Sequence, residues 1–347
     1  MHRSRSRLTL AAAFVALAVS AAPGWDAHGH RLITLLALDG LSGSMPAWLR
    51  DDASRARVAY QSTEPDHWRG PRDPMLDHEN SPDHYIDIEK LDQFGLTFDS
   101  LPRFRYEYLR AMAVAKHVHP EGVEEYDERK DPERSKEWPG YLPYSIAEHY
   151  AKLRASFYTL RILERLNDPA RADQVAQARA NVEYHMGILS HFVGDAAQPL
   201  HTTRHHHGWV GPNPAGYTTE RSVHAYIDGK VLELHNLTYD ALKADPRAPG
   251  TDRAVAAADP WDDCRAHIRR SFDKVEPLYA LEKDGGLREL RGKEFITERL
   301  TDASAMLAAL YRAAWESSAP TDDDVKNFLR FDGFRPAPAA NAPPPTP

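Results

Sequence analysis

The chain has 347 residues, of which 42% are apolar and 27% charged, with 26 prolines, 19 glycines and one cysteine. This is the composition of an ordinary globular domain, and it excludes a disordered chain, a collagen-like repeat and a disulfide-stapled miniprotein. The formal charge of −8 argues against binding polyanions through a broad basic surface, and any phosphate site would need local positive charge such as metal ions.

The first 24 residues are typical of a secretion signal. Arg3, Arg5 and Arg7 precede a short apolar run that ends in small residues, and residues 1–24 contain no acid. About 15 apolar residues fall short of the ~20 that a spanning helix needs. We therefore expect a secreted or periplasmic protein without stable membrane insertion, with cleavage after Ala21, Ala22 or Gly24.

The following segments indicate helices rather than strands. Apolar residues recur at spacings of three and four in three stripes: Ile146 to Leu160, Val175 to Val193, and Ile296 to Ala314. Ser145 and Glu148 match a capping box at the start of the first stripe. Segments 31–41, 102–115, 222–234 and 261–278 also suit helices, whereas 70–82, 128–143 and 205–217 are typical of loops.

These patterns predict an all-α protein with a single multi-helix domain and no significant sheet. We place that domain at residues 25–334 and expect residues 335–347, with six prolines in the last twelve positions, to form a disordered tail. A single cysteine, Cys264, allows no intrachain disulfide, and its apolar helical surroundings predict a small buried hydrophobe.

Two His-x3-Asp pairs are the first candidates for chemistry. His191 and Asp195, in the run from His191 to His201, share one helix face, and so do His224 and Asp228. Either pair alone is explained as well by a hydrogen-bonded histidine or a solvated face. Two pairs together favour a cluster of nitrogen and oxygen metal ligands.

Further histidines and aspartates lie upstream beside glycines and prolines, where such residues often only make turns. They occur in Trp25-Asp-Ala-His-Gly-His30, in Glu64-Pro-Asp66-His-Trp-Arg69 and in Pro82-Asp-His84-Tyr85-Ile-Asp87.

Taken in order, these fragments resemble the trinuclear-zinc single-strand-specific nucleases of fungi and plants and their bacterial relatives, within the superfamily of the zinc-dependent phospholipases C. The resemblance rests on the five-residue step from Trp25 to His30, on Asp-x-x-Arg, on His-aromatic-Ile-Asp, on His-Phe-x-Gly-Asp-x-x-Gln-Pro-Leu-His, and on the last His-x3-Asp. It implies the helical fold of that superfamily, a monomer, three Zn²⁺ ions and nine ligands: Trp25, His30, Asp66, His84, His191, Asp195, His201, His224 and Asp228.

The resemblance also implies roles for these residues. Asp66, His84, His191 and Asp195 would hold one zinc. The amino group and carbonyl oxygen of Trp25, with His30 and a bridging Asp195, would hold a second ion, which requires cleavage after Gly24. His201, His224 and Asp228 would hold a third. Asp66 would orient the nucleophile, Arg69 would stabilise phosphoryl charge, and Tyr85 and Asp87 would bind a nucleobase. From the residues alone, Arg69 as a surface ion pair and Tyr85 as core packing stay open.

Two departures from the family leave the substrate open: the lone Cys264 where relatives carry disulfides, and the loop between His201 and His224. The run His205, His206 and His207 in that loop is predicted to be solvated, with extra weak metal ligands or substrate contacts as the alternative. The favoured function is a zinc-dependent hydrolase of phosphate esters, an endonuclease and 3′-nucleotidase that acts on single-stranded nucleic acid and leaves 5′-phosphates. The alternatives are a phospholipase C, favoured if Trp209 and Val210 form an apolar rim, and a non-catalytic helical metal-binding module.

Overall fold

The computed structural model describes residues 25–248 and 253–334, so the predicted signal segment and the predicted tail lie outside the described residues. Over these residues the α-helices, in chain order, are α1 (Ala27–Asp39), α2 (Asp52–Gln61), α3 (Glu64–His67), α4 (Pro74–Asn80), α5 (Arg105–Val118), α6 (Leu142–Leu166), α7 (Ala172–Ala197), α8 (Val223–Ala225), α9 (Val231–Leu234), α10 (Tyr239–Lys243), α11 (Trp261–Phe272), α12 (Val275–Lys283), α13 (Leu290–Glu316) and α14 (Asp322–Phe331).

Shorter helical turns connect these helices. A π-helical stretch, Tyr226–Lys230, joins α8 to α9. The 3₁₀ turns are Ala47–Arg50, Ser81–His84, Ile88–Phe94, Phe98–Ser100, Pro120–Gly122, Pro169–Arg171, Pro199–His201 and Gly286–Arg288.

The predicted all-α class is confirmed. Within the described ranges there is no β-strand, and an isolated bridge between His206 and Gly208 is the only β-type pairing. No described helix is both long and apolar enough to cross a bilayer.

Three long helices build the core. The connection from α6 to α7 is only a few residues long, and the two helices pack along each other, with α13 packed against both and against α1. The predicted stripes supply the buried faces: Ile146, Tyr150 and Phe157 on α6 are fully or almost fully buried, and Leu300 and Leu307 on α13 are fully buried. Burial of these faces is the main source of helix stability here.

The predicted capping box at Ser145 is wrong. Helix α6 begins at Leu142, one turn earlier, with Pro143 in its first turn. Proline fits there because its missing N–H has no intrahelical partner at that position and its fixed φ suits the helix. Ser145 therefore lies inside the helix, where its hydroxyl donates to the carbonyl of Tyr141 at 3.2 Å.

The predicted loop at residues 70–82 contains α4. Asp73 caps this helix, because its Oδ1 accepts from the backbone N–H groups of Met75 and Leu76 at 2.9 and 3.2 Å, and Pro74 occupies the first turn.

The single helix predicted over 261–278 is two helices, α11 and α12, separated at Asp273 and Lys274.

The chain turns sharply after the carboxyl end of α7. The helix stops at Ala197, before Pro199, and the Gln198 side chain caps the following 3₁₀ turn by accepting from the N–H of Leu200 at 3.2 Å. This turn brings His201 back beside the last turn of α7.

Cys264 is fully buried in α11, as predicted.

Candidate metal centre

Histidine and aspartate side chains from widely separated segments meet at the end of α7. Eight of the nine sequence-predicted ligands are buried with at most 4% of their surface exposed: Trp25, His30, His84, His191, Asp195, His201, His224 and Asp228. Asp66 is partly exposed at the edge of the same group. Burial of so many ionisable side chains without paired cations is costly, so the cluster itself calls for a cation.

The first group of ligand atoms surrounds one point beside α7. His84 Nδ1 lies 3.0 Å from both His191 Nε2 and Asp195 Oδ2, and His191 Nε2 lies 3.3 Å from Asp195 Oδ2. Asp66 Oδ1 lies 3.9 Å from His191 Nε2. Ligand atoms around a tetrahedral zinc are about 3.3 Å apart, so this group has the spacing of a zinc site.

The second group shares Asp195 with the first. His30 Nε2 lies 3.5 Å from Asp195 Oδ1, the oxygen that the first group does not use. The His30 ring stacks on the His191 ring at 4.0 Å and 17°. The ligand atoms of His30, His191 and Asp195 all lie within 4.8 Å of one another. A carboxylate whose two oxygens face two groups can bridge two ions.

The third group lies on the π-helical stretch and the turn after α7. His224 Nε2 is 3.2 Å from Asp228 Oδ2, and the His224 ring meets the His201 ring edge-on at 5.0 Å. Gln198 Nε2 donates to Asp228 Oδ1 at 2.5 Å, which leaves Oδ2 as the outward oxygen. An outer hydrogen bond of this kind orients a ligand and fixes the atom it presents.

Backbone carbonyls fix the ring nitrogens of two histidines in the same way. His191 Nδ1 lies 2.8 Å from the carbonyl of Ser62, and His201 Nδ1 lies 2.6 Å from the carbonyl of His84. A carbonyl accepts only from an N–H, so each Nδ1 carries a proton, and in the neutral ring Nε2 presents a lone pair.

Many buried ring nitrogens and carboxylate oxygens of these residues have no hydrogen-bond partner among the described residues. Within the described part of the chain, the following buried atoms have no hydrogen bond: both ring nitrogens of His30 and of His224, Nε2 of His84 and of His201, and one carboxylate oxygen each of Asp66, Asp195 and Asp228. Buried polar atoms normally find a partner, and so many exceptions in one place favour a binding site for a cation. Imidazole and carboxylate donors without thiolates suit zinc, and the residues present therefore fit the cation that the sequence predicts.

Burial shifts the pKa values of several of these side chains. Burial strongly raises the pKa of Asp228, although Gln198 opposes the shift. Burial also lowers the pKa of His30, His84 and His224, which keeps these rings neutral and able to bind a metal. At Asp195, burial alone would raise the pKa, yet the neighbouring His191 and His201 hold it well below its usual range.

Trp25 is tied to the same end of α7. Its indole Nε1 donates to the carbonyl of Gly194 at 3.1 Å, and the next residue, Asp26, caps α1 by accepting from the N–H groups of His28 and Gly29. The position of Trp25 agrees with a place beside His30 and Asp195. Its amino group as a ligand stays a prediction, because residues 1–24 are outside the described ranges.

A cleft of about 390 Å³ opens beside the first and third groups. Arg69, Tyr85, His201 and His224 line it. Arg69 Nη1 is 3.4 Å from Asp66 Oδ1, so the ion pair that the sequence left open is present, but it lies at the cleft rather than on a remote surface. The Tyr85 hydroxyl donates to the carbonyl of Ser135 at 2.9 Å, while the residue is only partly buried.

Asp87, the other predicted substrate residue, does not line this cleft. It is 2% exposed, and its Oδ2 binds Lys90 Nζ at 2.9 Å. Its second oxygen lies 3.7 Å from His206 Nδ1.

Among the cleft residues, Arg72, Lys130 and Lys136 were not predicted from the sequence, whereas His206 and His207 belong to the run for which ligand or substrate contacts were the alternative prediction. The prediction of a solvated His205 to His207 run is wrong, because His205 is buried and the other two are partly buried at the cleft. Their spacing carries no helical or strand period, so only the histidine run itself could have pointed to them.

No protein-family model matches this sequence, and no curated protein matches it. Among solved structures, the chain is similar to the alpha toxin from Clostridium absonum, with 15% identity, a TM-score of 0.43, and coverage of 87% of this chain and 67% of the toxin. An identity and a TM-score this low assign neither a family nor an activity to the chain.

Proposed function

We propose that the protein is a zinc-dependent phosphoesterase. The observation that carries this proposal is the Asp195 carboxylate, whose two oxygens face His30 on one side and His84 and His191 on the other, 3.0–3.5 Å away. Two closely spaced cations held this way, with a third at His201, His224 and Asp228, are suited to phosphoryl chemistry. Bound zinc would supply Lewis-acid polarisation of phosphoryl oxygens and would lower the pKa of a coordinated water.

The protein's own side chains would complete the site. The Arg69 guanidinium faces the cleft, and its Nε and Nη1 have no hydrogen bond within the described residues, so it can donate to a phosphoryl oxygen. Asp66 lies between Arg69 and His191, where its carboxylate can accept a proton or orient an attacking water.

Single-stranded nucleic acid or a nucleotide is the substrate class that the cleft favours. Four cationic side chains, Arg69, Arg72, Lys130 and Lys136, line it beside the carboxyl groups of Asp77, Asp131 and Glu133, and Tyr85 offers an aromatic ring. Stacking of a base on an aromatic ring, with basic groups on the backbone phosphates, is the usual way to bind single strands without sequence preference.

The phospholipid alternative gains no support from the apolar rim that it needs. Trp209 is not free at the cleft, because it stacks on His205 at 3.9 Å and packs against Tyr217 and Tyr279. Val210 is 45% exposed but is not among the residues that line the cleft, where Tyr85 and Leu200 are the only aromatic or aliphatic side chains among the described residues apart from the histidines. The third alternative, a metal-binding module without catalysis, is tested by the assay described next.

A substrate panel tests the proposed function. Zinc-loaded protein should cleave single-stranded DNA and 3′-AMP, with 5′-phosphate ends on the DNA products, and should leave phosphatidylcholine intact. A chelator and the isosteric variant Asp195→Asn should both abolish the activity. Cleavage of phosphatidylcholine alone would move the proposal to the phospholipase, and inactivity on all three substrates with zinc bound would favour the non-catalytic module.

Replacement of Tyr85, the tyrosine at the cleft, distinguishes a base-stacking role from core packing. Tyr85→Ala should raise KM for single-stranded DNA by about 5- to 100-fold, the loss of one stacked base, with a smaller change in kcat. Tyr60→Ala, at an exposed tyrosine on α2 outside the cleft, is the matched control. An unchanged KM for Tyr85→Ala would remove the stacking role.

The proposed secretion and the role of the Trp25 amino group depend on processing after Gly24. N-terminal sequencing of the exported protein should begin at Trp25. A start at Pro23 or earlier would exclude the amino group as a ligand.

A further inference from the structure

The loop after His201 carries a histidine that the nine-ligand set does not include. His207 lines the cleft, and its ring centre lies 5.3 Å from that of His224, tilted by 52°. The ring of His201, a member of the proposed third group, lies at a similar 5.0 Å from His224. Two imidazoles that share a tetrahedral zinc have ring centres about 5 Å apart, because each nitrogen is ~2.0–2.1 Å from the ion and the ring centre lies just beyond.

In the described structure, ring nitrogens of both His207 and His224 are free of hydrogen bonds that would compete with a metal ion. His207 Nδ1 is buried without a hydrogen bond inside the described residues, and the same is true of both ring nitrogens of His224. The neighbouring His206 differs, since its Nδ1 contacts the carbonyl of Thr203 at 3.3 Å and faces Asp87. His207 Nδ1 is therefore a buried nitrogen of this run that has no hydrogen bond within the described residues and whose ring lies beside the third group.

The loop that presents His207 is anchored rather than loose. The Tyr279 hydroxyl donates to the carbonyl of His205, and the His205 ring stacks on Trp209 at an angle of 5°. Gly208 has φ +92°, and a Cβ there would lie 2.5 Å from the carbonyl carbon of Thr219. Only glycine fits this backbone and close approach, so the turn after His207 is fixed.

We propose that His207 is a fourth protein ligand of the metal held by His201, His224 and Asp228. This inference rests on the proposed metal centre and deepens it. Four protein ligands define a closed zinc site, whereas a catalytic zinc keeps an open position for water or substrate. The third ion would then act mainly by holding the loop and the end of α7 together, and the substrate would be handled at the Asp195 side.

Metal binding by the zinc-loaded protein and by variants of His206, His207 and His224 tests this assignment. Zinc per chain is measured by mass spectrometry after dialysis against a series of zinc buffers, and the cobalt-substituted proteins are compared by visible absorption. His207→Ala should lose one ion at free zinc about 10- to 100-fold higher than the wild type needs to retain it, and should lose cobalt d–d intensity. His224→Ala should lose the same ion more completely, and His206→Ala should match the wild type.

The outcomes separate the inference from the proposed function. Identical zinc retention and cobalt spectra for His207→Ala and the wild type would overturn the fourth ligand and leave the phosphoesterase proposal intact. A wild type that binds no zinc would overturn both. Circular dichroism with chelator checks the fold of each variant, and His207→Gln, which keeps a polar side chain without the imidazole, should repeat the loss seen with alanine.

Discussion

Among single residues, Gly194 sets how closely α1 approaches α7. A Cβ at this position would lie 2.9 Å from His30 Nδ1 and 3.3 Å from the Ile33 side chain. The Gly194 carbonyl also accepts the indole N–H of Trp25. The glycine between His191 and Asp195 therefore lets His30 lie against the carboxylate that the two ligand groups share.

Replacement of this glycine should weaken the metal centre without unfolding the chain. Gly194→Ala should push His30 away from Asp195 and lower zinc affinity by about 10- to 100-fold, as when the supporting contacts of a ligand are lost. The control is Gly43→Ala, since a Cβ at Gly43 meets nothing within 4 Å. Zinc retention in buffered dialysis measures both, and equal retention would mean that His30 is not a ligand.

At this scale the sequence predicted side-chain types better than side-chain surroundings. The four-residue steps from His191 to Asp195 and from His224 to Asp228 correctly placed each pair on one helical face, with contacts of 3.3 and 3.2 Å. The division of the Asp195 oxygens between two groups depends on where α1 packs, which no local pattern encodes. The burial of His205 depends on Tyr279, 74 residues away.

Among the helices, the amphipathic stripes of α6, α7 and α13 were predictable because their apolar period matches the helix over many turns. The ends of the helices were harder to predict from the sequence. Ser145 and Glu148 match a capping box locally, but Pro143 is better placed as a first-turn residue, and the helix starts at Leu142. Helix α4 was missed because its proline and polar residues resemble a turn, although Asp73 followed by Pro74 is also a helix start.

Helix α13 is held to α11 by a cluster of charges around Asp302. Its carboxylate lies 2.8 Å from Arg253 Nη2 and 3.3 Å from His267 Nδ1, with Arg270 at 3.5 Å. Burial alone would raise the pKa of Asp302, but His267 and the two guanidinium groups lower it, so the carboxylate is ionised in the folded protein. Without it, several cationic groups would face one another.

The variant Asp302→Asn should destabilise the protein by roughly 1–3 kcal/mol, the range for losing a hydrogen bond to a charged group, because the ion pairs of Asp302 are only partly buried. Asp323→Asn, at an exposed aspartate paired with Lys326, should change the stability by less than about 0.5 kcal/mol. Urea unfolding with chelator present measures both, which keeps metal binding out of the comparison. Equal stabilities would show that the Asp302 cluster does not hold α11 to α13.

Across the whole molecule, acid should destabilise the fold partly through His149. This ring on α6 stacks on Phe192 of α7 at 5.2 Å, and burial lowers its pKa to about 3. The unfolded chain takes up the proton near pH 6.5 while the folded chain does not, so stability falls as the pH falls from about 6.5 towards 3.

This linkage can be measured by replacing the imidazole with a ring that does not titrate. Between pH 7 and 5 the wild type should lose up to about 2 kcal/mol more stability than His149→Phe, measured by urea unfolding with chelator. The aromatic contact with Phe192 is kept in the variant. Parallel losses in the two proteins would contradict a neutral His149 in the folded protein.

The metal content of the purified protein tests the central claim most directly. Dialysed wild-type protein, analysed by mass spectrometry for metals, should contain three zinc ions per chain, and Asp195→Asn, which alters the one carboxylate that both neighbouring groups share, should contain fewer. Less than one ion per wild-type chain, or the same content in both proteins, would contradict a cation centre built on these buried histidines and aspartates.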